Sequence, residues 1–201
     1  MSIKVFQIGF NKCGTRSIHR FLRAGGLKGV HWDRGNLAKT MYRNLTEGRS
    51  LLEGYEEFSA FSDMEHVSHE FAFEAYKLFP LLALEFPEAI FILNTRNRED
   101  WIKSRFSHSG GLYARRWKSV LGLQDEEKLA ERWREDWEWH HNRAVDFFAH
   151  GNCRFFVFKL GVDEPDVFAK MIPECKFDIS RFPVAGRTSD RKLSTMPVLG
   201  L

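Results

Sequence analysis

The chain has 201 residues, which at about 150 residues per domain suits one domain with appendages and excludes two independent catalytic domains. With 43% hydrophobic, 14% aromatic and 28% charged residues it has the apolar side chains for a core, and a disordered or low-complexity chain is excluded. Thirty Lys and Arg against 27 Asp and Glu leave a formal charge of +3, too little for the broad polyanion-binding surface of a nucleic-acid binder, so any basic site must be local.

Cys13, Cys153 and Cys175 are odd in number and widely spaced, with no CxxC pair, which indicates neither a disulfide framework nor a zinc site. A reducing compartment is expected. No run approaches about 18 apolar residues, and Ile3–Ile8 begins without the apolar stretch of a signal peptide, so the expectation is a cytoplasmic protein with no membrane span.

Lys4–Ile8 reads as a strand ending at Gly9, and Ser17–Arg23 as a helix stopped by Gly25 and Gly26. Gly29–Trp32 is a candidate edge strand and Asn36–Leu45 a helix, followed by a second core strand at Phe58–Ser62. The spacing of Phe71, Ala75, Leu78, Leu82 and Phe86 predicts one helix over Glu70–Phe86, kinked at Pro80. Ala89–Leu93 is a near-continuous apolar run, as in a strand buried on both faces of a parallel sheet. Glu99–Phe106 starts another helix; Asp125–Ala149 is the longest, with Leu129, Trp133, Trp137, Ala144 and Phe148 near one stripe. Arg154–Phe158 is a last strand and Pro165–Ile172 a short helix, and a polar tail follows from about 181. Alternating strands and helices argue for a single three-layer α/β domain over residues 1–201, a mostly parallel sheet flanked by helices. Ligand sites in such folds lie at the carboxyl ends of the strands.

The first strand-to-helix turn is Gly9-Phe10-Asn11-Lys12-Cys13-Gly14-Thr15-Arg16-Ser17. It offers two glycines, a lysine, hydroxyls and successive backbone N–H groups at a helix amino terminus, a geometry that binds phosphate. The glycine spacing fits the pattern GxxxxGK[ST], but Thr15 follows Gly14 and the lysine has moved to position 12, which disfavours an ordinary ATP or GTP loop. At the end of the third core strand, Arg96 precedes Ser104 by about two helical turns, so that both can reach one anion.

Gly9–Ser17 together with Arg96 and Ser104 resembles the two cofactor motifs of the sulfotransferases that use 3′-phosphoadenosine 5′-phosphosulfate (PAPS). The resemblance implies a P-loop-like fold in which Lys12 meets the bridging and sulfuryl oxygens and the loop segment Cys13, Gly14, Thr15, Arg16 and Ser17 holds the 5′-phosphate. It implies further that Arg96 and Ser104 hold the 3′-phosphate. Arg16 departs from the KSGTT form of the cytosolic enzymes and is similar to the KGGTR form of the glycosaminoglycan type. Phe61–Glu65 and the stretch from Glu88 to Ser104 resemble a smaller bacterial-type branch with an acidic residue after strand two.

Sulfuryl transfer requires a base opposite the leaving phosphate, and Asp63, Glu65 and His66 lie within four residues after the second core strand. In an extended segment Asp63 and Glu65 share one face, and the cations Lys12 and Arg16 should hold Asp63 ionised. Asp63 is the first choice of base, with Glu65 beside it, and His31 and Asp33 are candidate acceptor contacts. His140 and His141 read as a helix face packing between tryptophans, and no metal is expected. Gly186-Arg187-Thr188 loosely resembles a basic loop that closes over the nucleotide. The partner is a small-molecule or glycan acceptor of unread identity. The competing readings are a nucleotide kinase with a variant P-loop, which needs Mg²⁺ ligands, and a non-catalytic nucleotide-binding protein.

Overall fold

The structure, a computed structural model, describes residues 3–182. The tail beyond, with Gly186, Arg187 and Thr188, lies outside the described residues. Five strands form one sheet: β1 (Val5–Gln7), β2 (Gly29–His31), β3 (Ala60–Ser62), β6 (Ile90–Thr95) and β7 (Arg154–Lys159), in the order β2-β3-β1-β6-β7 and all parallel. A separate antiparallel hairpin pairs β4 (Glu65–Val67) with β5 (Ala72–Glu74).

Side chains alternate across the sheet, and the alternation separates two cores. Val5, Ala60, Ile90, Ile92, Phe156 and Phe158 face α1 (Thr15–Ala24) and α7 (Asp166–Met171) through Ile18, Phe21, Leu22 and Phe168. Phe6, Ile8, Phe61, Phe91 and Leu93 face the opposite way. They meet α2 (Asn36–Thr46), α3 (Phe79–Glu85), α4 (Arg98–Phe106), α5 (Leu112–Leu121) and α6 (Glu126–Ala149). The architecture is therefore the expected three-layer α/β fold with a central parallel sheet. Because α1 follows β1 on one face and α4 follows β6 on the other, the two connections diverge at the carboxyl ends of these neighbouring strands, the position at which open α/β sheets bind ligands.

One element differs from its sequence reading. The single helix expected over Glu70–Phe86 is instead strand β5, a 3-10 turn at Ala75–Leu78 and the short α3. Pro80 does not kink a helix; it sits in the first turn of α3, where a missing N–H costs nothing. The apolar spacing is real from Ala75 onward, but Ala72–Glu74 pairs with Glu65–Val67, and ladder bonds outweigh helical periodicity there. Helix α5, which no motif announces, fills the space between α4 and α6 with Tyr113, Ala114 and Trp117. Asn97 and Asp125 cap α4 and α6 by accepting from Asp100 N–H and Glu127 N–H. Among the described residues no helix is long and apolar enough to cross a membrane.

Candidate active site

The turn from Gly9 to Gly14 is fastened by side chains from the next strand and helix. Asn94, the buried polar residue that ends the apolar run of β6, accepts from Gly9 N–H (3.1 Å) and donates to the carbonyls of Phe10 (3.4 Å) and Cys13 (3.2 Å). Trp101 Nε1 donates to the Asn11 carbonyl (3.0 Å), and Arg96 Nη1 to the Lys12 carbonyl (3.2 Å). Four successive carbonyls thus point into the protein, which turns the intervening N–H groups outward, as in a nest for an anion. Lys12 adopts φ 64° and Gly14 φ 81°, and the glycine at position 9 is obligatory because a Cβ there would lie 1.9 Å from the Asn94 carbonyl oxygen.

Helix α1 begins directly after this turn. Its N-cap is Gly14, which gives no side-chain cap, and its first turn has no acidic residue but carries Arg16. The first N–H groups of a helix lack intrahelical acceptors and sit at the positive end of its dipole, so this terminus is built for an anion. Thr15 and Ser17 are buried in the same turn and Arg16 is exposed. Cys13 is fully buried and burial pushes its thiol up, so it offers backbone only. Ser104 is half-buried on α4, two turns beyond Arg96.

Asp63 and Glu65 do not share a face. Asp63 has φ 55°, and Glu65 N–H closes onto the Asp63 carbonyl (2.8 Å), so the chain turns between β3 and β4 instead of running extended. Asp63 Oδ2 lies 3.4 Å from His31 Nε2, while Oδ1 is buried without a hydrogen-bond partner among the described residues. Burial raises the Asp63 pKa to about 6, against the pull of Arg16, Lys12 and Arg105. The expectation that Lys12 and Arg16 lower the Asp63 pKa is corrected: they do pull it down, but desolvation is the larger effect and the net shift is upward. His31 continues inward, with Nδ1 3.0 Å from Ser62 Oγ, which lies 3.1 Å from His19 Nδ1. Burial and the nearby Arg16 and Arg20 lower His31 to about 4, which keeps it neutral beside Asp63.

Glu65 belongs to a buried cluster instead. Its Oε1 accepts from Asn11 Nδ2 (2.5 Å), its Oε2 is bonded to the Tyr113 hydroxyl (3.2 Å), and Arg105 stands 3.7 Å away. Burial, with the charge of Asp63, pushes Glu65 up to about 8. His66 is half-buried and packs against Gly35 beside Phe71. Asp33 accepts from the Tyr55 hydroxyl (2.6 Å). His140 is buried and donates through Nε2 to the Ile8 carbonyl (2.6 Å); His141 stacks on Trp137 and bonds Thr95 (2.9 Å). His140 thus ties α6 to the end of β1 and His141 ties it to the end of β6. No group of His, Cys, Asp and Glu among the described residues has the arrangement to hold a metal ion.

The structure therefore brings Lys12, Arg16, Arg96 and Asp63 to one end of the sheet and assigns Glu65 to the support beneath them. Sequence reasoning missed Asn94, Trp101 and Arg105, which hold the turn. Asn94 alone left a signal, as a polar residue closing a strand otherwise buried on both faces. No curated protein matches the chain. A model of the sulfotransferase domain matches residues 4–156, from the strand before the turn into the last strand of the sheet, and the chain belongs to the sulfotransferase family.

Proposed function

We propose that the protein transfers a sulfuryl group from PAPS to a hydroxyl or amine of a small-molecule or glycan acceptor. The observation that carries this reading is the turn whose carbonyls at Phe10, Asn11, Lys12 and Cys13 are all engaged from behind, beside an uncapped helix terminus and Arg96. These groups fit a phosphosulfate, because outward N–H groups and cations meet its charge and Gly14 puts no side-chain cap on the helix terminus.

When bound, PAPS supplies the sulfuryl group and leaves as 3′-phosphoadenosine 5′-phosphate (PAP). The N–H groups of Gly14–Ser17 hold the 5′-phosphate. Arg96 and Ser104 take the 3′-phosphate, with Arg96 already oriented by the Lys12 carbonyl. Lys12 neutralises negative charge that grows on the leaving side, a contribution felt most in the transition state. Asp63 Oδ1, which has no partner among the described residues, accepts the proton of the acceptor hydroxyl, while neutral His31 steadies Oδ2. The pull of Arg16, Lys12 and Arg105 against burial favours the ionised form of Asp63, the form a base needs.

Calorimetry tests the donor. PAP should bind much more tightly than AMP or ADP, since a charge-assisted contact to the 3′-phosphate is worth about 1.5–3 kcal/mol. Arg96→Ala should remove most of that preference. Equal affinities of the wild-type protein for PAP and AMP would sink the reading.

A further inference from the structure

Arg105 follows Ser104 on α4 and is fully buried. Its guanidinium carbon lies 4.5 Å from the ring centre of Trp101, 5.0 Å from Trp133, 5.2 Å from Tyr113 and 5.3 Å from Phe10. Nη2 donates to the Tyr113 hydroxyl (2.7 Å) and lies 3.7 Å from Glu65 and 3.5 Å from Glu74, while Nη1 has no hydrogen-bond partner among the described residues. A charge enclosed by aromatic rings and incompletely bonded is costly, and an apolar side chain of similar volume fills such a box without that cost. The remaining bond explains why the charge is there. Nε donates to Asn11 Oδ1 (3.0 Å), and Asn11 is also gripped by Glu65 at its amide and by Trp101 at its carbonyl. The next residue is Lys12, whose left-handed backbone persists only if its neighbours impose it.

We propose that Arg105 is a positioning residue for the sulfotransferase site, holding Asn11 so that the Lys12 backbone and the outward N–H groups keep their binding geometry. This rests on the reading that the turn binds PAP and PAPS. The same guanidinium reaches the base electrostatically. Asp63 is faced by Lys12 from the turn, Arg16 from α1, His31 from β2, Glu65 from β4 and Arg105 from α4, and Arg105 is one of the three cations that draw its pKa down.

Three variants separate these effects. Arg105→Lys keeps the charge but loses the guanidinium fork, Arg105→Gln keeps a donor but loses the charge, and Asn11→Ala cuts the link while leaving Arg105 in place. PAP affinity is read by calorimetry, the Asp63 titration by carbon NMR of labelled carboxyls assigned against Asp63→Asn, and folding by thermal melts. PAP should bind about tenfold more weakly to Arg105→Lys and Asn11→Ala, the lower end of what a lost charge-assisted bond produces. The Asp63 midpoint should rise in Arg105→Gln and stay in place in Arg105→Lys. Lowered melting points with wild-type PAP affinity and an unmoved Asp63 midpoint would reduce Arg105 to a core residue and overturn the proposal. Should neither Arg105 variant fold, Asn11→Ala decides alone, and wild-type affinity there overturns it. A wild-type protein without preference for PAP over AMP refutes the donor reading itself, whereas preserved preference with unaffected variants refutes only the positioning.

Discussion

Glu65→Gln exchanges one oxygen of a buried carboxyl for an amide nitrogen with almost no change of shape. In the native protein burial and Asp63 raise the Glu65 pKa from its ordinary 4.5 to about 8, which favours the neutral acid at pH 7. Glutamine keeps the neutral charge of that form: its oxygen accepts from Asn11 Nδ2, and its NH₂ faces the Tyr113 hydroxyl, which donates to Oε2 in the native protein and has to turn its proton away. Between pH 4.5 and about 8 the folded wild-type protein binds a proton that the unfolded chain has released, so its stability falls as pH rises, by about 1.4 kcal/mol per unit. The variant has no such proton. Relative to wild type it should therefore gain stability across this window, by about 3 kcal/mol at pH 7, less whatever attraction to Arg105 is lost. Urea unfolding of both proteins at pH 5, 6, 7 and 8 reads the difference. Parallel stability curves would refute the reasoning. So would a variant that is weaker at pH 8 than at pH 5 by the same margin as wild type.

Other outcomes follow from the same geometry. Asp63→Asn should lower turnover about 10²–10⁴-fold while leaving PAP affinity intact, measured with a radiolabelled sulfuryl donor across an acceptor panel. Wild-type activity should fall as pH drops through about 6, where Asp63 takes up the proton it must be free to accept; a flat profile from pH 5 to 8 would exclude it as the base. Lys12→Ala should reduce turnover much more than it weakens PAP, and equal losses in kinetics and calorimetry would make Lys12 a binding residue only. Gly9→Ala drives a methyl group into the Asn94 carbonyl and should destabilise the fold by about 3 kcal/mol, together with a loss of PAP binding, in denaturant unfolding and titration.

The strands and the turn at Gly9–Ser17 were legible because their signals are local: apolar runs bounded by glycine, and a phosphate-type loop opening a helix. Arg96 was legible for the same reason, as a cation at a strand end. The hairpin of β4 and β5 was not, since Ala72–Glu74 is extended only because Glu65–Val67 pairs with it. Reading Asp63 and Glu65 onto one face failed at a single backbone angle, the positive φ of Asp63, to which side-chain pattern is blind. Arg105, between Ser104 and Phe106, left no signal in the sequence. Its burial needs rings from the turn, α4, α5 and α6, and no window along the chain contains them together.

The distance along the chain between the turn and its clasp has a consequence for biosynthesis. Gly9 and the Asn94 side chain that holds it are 85 positions apart, and Asn11 meets Arg105 across 94. At about 5–20 residues per second, the ribosome needs on the order of 5–20 s to supply the clasp after the turn has been made. During that interval the first strand and helix are present, but four carbonyls of the turn have no partners and their orientation is not fixed. The proposed nucleotide site is therefore not formed in the nascent chain until β6 and α4 have emerged and docked. If the turn binds PAPS as proposed, the nucleotide cannot template the early steps of folding and marks only a chain whose central sheet is already assembled.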